Sequence, residues 1–490
     1  VGFLTDLGAV VAPEWTLRRV AARAQLERLY DAAKTHHQHL RPTDTKRSAD
    51  SNMDHATDKV TAWARHLDQN HDIVSGLFDQ LANRVCQMTI EPMVRSRGGE
   101  LNTVVNDQLS DLFKRWRDTA DSSGTLGWSD LVHHIARSWY RDGEVFINHR
   151  FGEGEILPYS LEALEQEFLP FTLTQGNTPA IIHGVEKSDA GRPTAYYFYK
   201  SHPGNQDTLT RFAAPTLQDL TRVPADQVSH VKRVSRLHQT RGISVLHSVA
   251  HRLDSLNDYE QSEQIAARIA ASLSLFVQTT PQWGATQAVN ATSGELPFEM
   301  DAGQIHRLGP GESIMSPDSN RPNPGLMDFR RGQLRAVASG TGARYSTLAR
   351  DYSDGSYSSQ RQELVEGRTF EKKDLDSFAA QFWRPVWSRF VRAAEMSGRI
   401  ASSAINPETI FDMDVSGLSI PWIDMKKEVE ADTAAVAAGF KSRQQVIREH
   451  GGSLREIDRE RAQDKQPAAN PLEAVENDDP ANTNDDIATA

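Results

Sequence analysis

The residues of this 490-residue chain that could do chemistry are histidines, scattered carboxylates and one thiol. His36, His37 and His39 form the densest imidazole group, in HHQH. A zinc site needs several donors converging on one point. On a helix these three positions send their rings in different directions. No second cluster completes a shell, so they are read as a solvated helix end. His133 and His134 have apolar neighbours and are read as a core or surface pair. Asp351, Asp354 and Asp374 could serve as metal carboxylates in a nuclease. They lie in or beside turn and helix-start sequence, where Asp caps backbone N–H groups, and capping is the expected role. Cys86 has no partner for an intrachain disulfide. Its setting, LANRVCQMTIEP, suggests an inert buried thiol and suits a reducing cytoplasm.

The larger catalytic signatures are missing. There is no G-x-x-x-x-G-K-[ST] phosphate loop, and GFKS at 439–442 has neither the spacing nor the adjacent Gly-Lys. HExxH, CxxC, EF-hand and GxSxG patterns are also absent from the sequence. No enzyme activity, cofactor or metal is therefore expected. The net charge is -12. A protein that grips DNA by neutralising phosphates carries a basic face. The acidic balance argues against a tight static binder, but not against a surface that DNA slides past.

The elements that would carry these residues can be read from periodicity. Residues 12–40, 55–86, 104–118 and 128–141 have helical spacing. After Asp142-Gly143 the alternating run EVFINHR marks a strand, and strand-like pieces continue to about 240. Residues 244–278 contain no Gly or Pro and carry one stripe that includes Leu253, Leu256, Ile265 and Ile269. A helix of that length needs a neighbour, in its own chain or another, to cover the stripe. Residues 281–325 read as a turn-rich β insert, 326–340 as helix, and 341–357 as a polar turn-prone segment. A second long helix is expected over 358–397, kinked at Pro385. Shorter helices are expected at 425–438 and 442–449. The tail 466–490 carries acids and no Lys or Arg and is expected to be disordered. No apolar run approaches the roughly 18 residues of a membrane span. The start, VGFLTDLGAVVAPEW, lacks a cationic head and is not expected to be a signal peptide.

Six segments, in order, resemble those of the lambda-type phage portal family. They are RHLDQNHDIVSGLFDQLANRVCQ (65–87), WSDLVHHIARSWYRDGEVFI (128–147), RGISVLHSVAHRLDSLNDYEQSEQIAARIAASLSLFV (241–277), DFRRGQLRAVASGTGARYSTLARDYSDGSYSSQR (328–361), FWRPVWSRFVRAAEMSGRI (382–400) and PWIDMKKEVEADTAAVAAGFKSRQQVIREHG (421–451). The fourth is the most specific. Ala338, Ser339 and Ala343-Arg344 depart from the larger apolar residues usual there. The first 50 residues match weakly.

The resemblance implies an α+β, mainly helical portal fold with wing, stem, clip and crown, assembled as a ring. Residues 1–240 would be the N-terminal part of the wing, and 241–278 and 326–340 the stem helices. Residues 279–325 would be the clip and 341–357 the tunnel loop. Residues 358–420 would be the wing spine helix with following strands, and 421–465 the crown. Arg344, Tyr345, Arg350 and Tyr352 are the implied DNA-channel residues, and Leu253, Leu256, Ile265 and Ile269 the implied ring interface. The implied function is a connector at one capsid vertex of the virion, for DNA packaging and ejection. The implied partners are copies of itself in a dodecamer, the terminase large subunit, major capsid and scaffold proteins, a head–tail adaptor, and double-stranded DNA passing non-specifically. No membrane partner is expected. A head–tail adaptor or minor capsid protein is the alternative reading.

Overall fold

The computed structural model describes residues 48–464, apart from 55, 87, 153, 177–178, 206–216, 272–275, 280–311, 316–324, 354, 401–404, 417–424 and 453. The expected helix 12–40, the tail 466–490 and most of the turn-rich insert lie outside the described residues.

In chain order the main elements are α1 (Ala49–Met53), α2 (Thr57–Asn70), α3 (Asp72–Cys86), β1 (Thr89–Pro92), α4 (Thr103–Arg117) and α5 (Trp128–Arg141). Next are strands β2 (Glu144–Phe151), β3 (Tyr159–Leu164), β4 (Ala180–Ile182), β5 (Val185–Lys187), β6 (Pro193–Tyr199), β7 (Leu220–Pro224) and β8 (Val228–Lys232). Then come α6 (Ala250–Ala271), β9 (Phe276–Thr279), β10 (Glu312–Met315), α7 (Leu326–Thr341), α8 (Tyr345–Ala349) and α9 (Tyr357–Phe378). The C-terminal part holds α10 (Arg384–Met396), β11 (Met413–Ser416), α11 (Met425–Ala437), α12 (Arg443–Glu449) and α13 (Leu454–Gln463).

The chain divides into two compact units. The described part of the first comprises residues 56–77 and the described residues of 245–367. Here α6 and α7 run antiparallel. Arg330 Nε donates to Glu260 at 2.7 Å, and the rings of Tyr259 and Phe329 lie 4.8 Å apart. At the other end Gly340 faces Val249 so closely that a Cβ would sit 2.5 Å from Val249 Cγ1. Helix α2 packs on α6 through buried Val60, Ala64 and Leu67. Strands β9 and β10 pair antiparallel, Phe276 opposite Met315.

The second unit comprises 48–54, 78–244 and the described residues from 368 onward. It contains a three-stranded sheet in the order β3-β2-β8, a four-stranded sheet in the order β4-β5-β6-β7, and the β1-β11 pair. Its core is aromatic. Trp116 stacks on Tyr159 at 5.2 Å and donates its indole N–H to the Tyr159 carbonyl at 2.8 Å. Phe113, Phe382, Trp383, Trp387 and Phe390 close around them, all buried. Rings at edge-to-face distances such as Phe113 and Phe390, 5.1 Å apart, add to plain area burial.

Two sequence expectations are corrected and a third is refined. The single helix over 244–278 is a 3-10 turn, Val245–Ser248, followed by α6, and by 276 the chain is extended. Phe, Val and Thr in FVQT favour the pleated strand over a further helical turn. The helix over 55–86 is two helices broken at buried, extended His71. The helix over 358–397 is α9 and α10 joined by a π-helical turn, Ala379–Trp383, directly ahead of Pro385. The wide turn absorbs the missing N–H and the ring clash that a proline brings.

Candidate functional site

The segment 341–357 is more regular than its composition suggests. Helix α7 ends at Gly342, whose φ of +74° closes the last turn as a left-handed cap. One helical turn, α8, intervenes and ends at Arg350, itself left-handed at φ +50°. Asp351 organises the turn that leads on to α9. It accepts from the Ser353 N–H at 3.1 Å, the Ser353 hydroxyl at 2.6 Å and the Tyr345 hydroxyl at 3.0 Å. Hydrogen bonds from Ser353 and Tyr345, with the Arg331 charge 3.2 Å away, hold its carboxyl down to about 2. Asp351 is thus a turn-forming acid, as its sequence position implied. Its cation is Arg331 of α7, not a loop arginine. Arg335 lies 5.1 Å over the Tyr345 ring.

The four channel residues named from the sequence therefore differ. Tyr345 is half-buried and hydrogen-bonded within the segment. Arg344 is half-buried, its Nε beside Gly367, where a Cβ would meet it at 2.6 Å. Tyr352 is 59% exposed. Arg350 is exposed and forms no ion pair with a described residue. The segment thus brings Tyr345 into its own packing and leaves Arg350 and Tyr352 facing outward.

The helical stripe divides in the same way. Leu253 and Leu256 are buried within their own chain, at 0% and 1% exposure, so nothing of them is left for a second subunit. Ile265 on the same helix is 56% exposed. The Ile269 side chain lies outside the described residues. Met327, at the matching end of α7, is also 56% exposed.

Sequence reading missed a buried ionic centre where the second unit leads into the segment before α6. Arg241 is fully buried. Its Nε donates to Glu144 Oε1 at 2.7 Å. Its Nη atoms donate to the carbonyls of Leu169, His183 and Gln166, each at 3.0 Å. Its plane covers Phe171 at 3.8 Å. Glu144 Oε2 accepts from the Gly242 N–H at 2.7 Å and meets His230 Nε2 at 2.8 Å. Burial alone would raise the Glu144 carboxyl, but Arg241, His230 and Gly242 hold it down to about 2. Burial lowers His230 to about 4 against the opposing pull of Glu144. Gly143, at φ +92°, lets the backbone of Ile243 approach, and a Cβ there would sit 2.2 Å from the Ile243 carbonyl carbon. Next to this centre Asp50 accepts from the Thr240 N–H at 2.7 Å and its hydroxyl at 2.6 Å. The Asp-Gly pair signalled a turn in the sequence; nothing in RGIS signalled a buried guanidinium.

The other chemistry candidates resolve into structural contacts. Asp374 accepts from the Tyr140 hydroxyl at 2.9 Å and from Arg233 at 3.2 Å, an internal ion pair rather than the expected cap. His133 lies 3.4 Å from Asp79, which also pairs with Arg137. Cys86 is half-buried, less than expected, and burial pushes its thiol up, away from the reactive thiolate. The HHQH cluster and Asp354 lie outside the described residues. Among the described residues Glu165, Glu167 and His202 bring ligand atoms within 4.8 Å of one another. There the Gly204 N–H donates to His202 Nδ1 at 3.0 Å. The neutral ring then carries its proton on Nε2, the atom 3.6 Å from Glu165, which suits an imidazole–carboxylate pair better than a metal ligand.

Comparison with known proteins gives a consistent picture. The family described as phage portal protein, lambda family, matches residues 37–372. The probable portal protein of Halomonas phage phiHAP-1 is 24% identical over 422 residues, spanning 83% of this chain and 80% of that one. Portal protein B of Escherichia phage lambda is 25% identical over 309 residues, 56% of each chain. A chain from the neck of a native GTA particle, computed with C12 symmetry, overlays with a TM-score of 0.43 at 13% identity, covering 79% of this chain and 93% of that one. The family match spans well over half of the sequence, and the chain belongs to the lambda family of phage portal proteins.

Proposed function

We propose that this portal protein closes into a ring of twelve copies at one capsid vertex of the virion and is the channel for DNA packaging and ejection. The observation that carries the ring is the division of α6. Its first half is covered by its own chain, whereas Ile265 at the far half, with Met327 on the partner helix, remains exposed. A head-to-tail contact that closes on itself covers such a surface once per subunit. In this reading α6 and α7 are the stem, 279–325 the clip, 341–357 the tunnel loop, 358–420 with the part up to 240 the wing, and 421–465 the crown. Arg350 and Tyr352, and with them Arg344 and Tyr345, form the DNA-facing set. A few exposed cations touch phosphates without reading sequence, and an overall charge of -12 keeps the passage from gripping. The clip docks the terminase large subunit and later a head–tail adaptor. Major capsid and scaffold proteins surround the ring during assembly in the host cytoplasm. ATP hydrolysis belongs to the terminase, and this chain has no catalytic task.

Negative-stain imaging of the purified chain tests the ring. Wild-type protein should give closed rings. Ile265→Glu should give subunits that fold normally, by circular dichroism and melting, yet do not close. Rings from Ile265→Glu would place the interface elsewhere.

A further inference from the structure

A groove of about 660 Å3 lies within the second unit, between β1 with α4 on one side and α13 on the other. Residues 88–93 line it as one continuous stretch. Among the described residues strand β1 pairs on one edge only, with β11, Ile90 opposite Val415 and Pro92 opposite Met413. The Met93 N–H donates to the Asp412 carbonyl at 2.9 Å. In an antiparallel ladder bonded and non-bonded pairs alternate. Met93 therefore sets the phase: Glu91 and Thr89 turn their backbone groups to β11, and Ile90 and Pro92 turn theirs away. Pro92 stands where its missing N–H costs the ladder nothing. The next outward residue, Val94, is already satisfied, its N–H and carbonyl both bonded to the Asn106 side chain at 2.9 and 3.0 Å. Ile90 has no such partner among the described residues and offers one N–H and one carbonyl at an open edge.

Two side-chain atoms in the same groove are also unsatisfied. Among the described residues the indole N–H of Trp387, a residue 1% exposed, has no acceptor, and Glu91 Oε1 is buried without a donor. A buried polar atom without a partner is costly, and a visitor that pairs with it recovers that cost. Of the groove's three cations, Lys114 pairs with Glu456, Arg117 lies 5.7 Å over Phe113, and Arg459 at the α13 side is exposed and pairs with no described residue. Asp111 is exposed and pairs with no described residue. Backbone edge, indole donor and surplus carboxylates fit one kind of visitor.

We propose that this groove binds a short, extended, lysine- or arginine-bearing peptide segment of another protein by strand addition to β1. The visitor's backbone exchanges hydrogen bonds with Ile90. One of its carbonyls accepts from Trp387, an apolar side chain rests on the Phe113–Trp387 floor, and its cation meets Glu91 and Asp111. Main-chain bonding supplies affinity and the charges supply selection. Pro92 limits the added strand to a few residues and guards the edge against longer, unwanted pairing.

The test uses the purified full chain and a fluorescein-labelled peptide, Lys-Val-Lys-Leu-Lys with blocked ends. Two counterparts accompany it: one with Glu in place of Lys, and one N-methylated on alternate amides. The lysine peptide should bind saturably, protect the Ile90 amide from hydrogen exchange, and weaken by about tenfold on N-methylation. Glu91→Gln combined with Asp111→Asn should weaken it by a similar factor. Trp387→Phe, which keeps an aromatic ring and removes the N–H, should weaken it several-fold at a temperature where circular dichroism shows the variant folded. Absence of saturable binding overturns the proposal. So does binding that is indifferent to N-methylation and to the Glu91/Asp111 pair, because that is general attraction to an acidic protein. Preference for the Glu peptide overturns it as well. Ring formation is not a readout here, so this test and that of the ring fail independently.

Discussion

Arg241 and Arg350 are the same residue type placed at opposite extremes. Arg241 is fully buried and donates to one carboxylate and three carbonyls. Arg350 is exposed, left-handed at φ +50°, and pairs with no described residue. The first holds neighbouring elements in register, because every polar atom around it depends on the others. The second holds no described residue of its own subunit and faces outward. A guanidinium's task is thus set by whether the backbone around it offers acceptors. Near Arg241 the carbonyls of Gln166, Leu169 and His183 supply those acceptors.

The contrast can be broken most severely at Arg241. Arg241→Ala leaves Glu144 charged and buried without its guanidinium, and should cost about 3–5 kcal/mol in urea unfolding. A loss below about 1 kcal/mol would mean that the centre is solvated and the contrast false. A similar split is expected along α6. Leu253→Ala should destabilise the subunit by about 2–5 kcal/mol. Ile265→Ala should change it by less than about 0.5 kcal/mol while weakening assembly, and equal effects on subunit stability would erase the distinction.

Acid sharpens the picture at the buried centre. His230 is held at about 4, below its ordinary 6.5, so the unfolded chain takes up the proton first. Its contribution is whole above 6.5 and declines as pH falls toward 4. Glu144 is held at about 2 from 4.5, so its contribution is whole above 4.5 and is lost as pH falls toward 2. Unfolding midpoints from pH 7 to 3 should fall in that order, and His230→Gln should flatten the upper part of the curve. A flat wild-type profile from 6.5 to 4 would contradict the burial of His230. The smallest effect on folding is expected at Arg350. Arg350→Ala should leave the melting temperature and ring formation unchanged and reduce packaged or retained DNA. Full packaging and full genome retention would remove it from the DNA-facing set.

Much of this architecture is legible in the order of residues alone. Helix α5 spans Trp128–Arg141, the boundaries read from its periodicity, because six buried residues fall on one face and Asp142-Gly143 ends it. Strand β2 is visible as alternation. What periodicity cannot show is distance. The pairing of Ile90 with Val415 joins two four-residue strands far apart in sequence, each too short to carry a pattern. The acceptors of Arg241 lie at 144, 166, 169 and 183, and no local rule links them. The segment 341–357 reads as irregular because Ser, Gly and Asp dominate it, yet Tyr345–Ala349 still forms a turn of helix. The Arg331–Asp351 pair is hidden for the same reason, since the competing cations at 344 and 350 are nearer in sequence.

The wide turn at Ala379–Trp383 sets a phase. Phe378, Phe382, Val386, Phe390 and Ala394 recur at every fourth residue, and each is 0% exposed. A uniform α-helix advances about 400° over four residues, so such a row would wind about 160° away from its starting direction by Ala394. The π turn takes up part of that drift, and one aromatic core can receive all five. The spacing behaves like a clock corrected once mid-run. Deleting a single residue from 379–383 would keep composition and helix propensity nearly intact and rotate Trp387 and Phe390 out of step with Phe378. Length in this stretch is therefore constrained more tightly than identity: substitutions among apolar residues there should be survivable where a one-residue deletion is not.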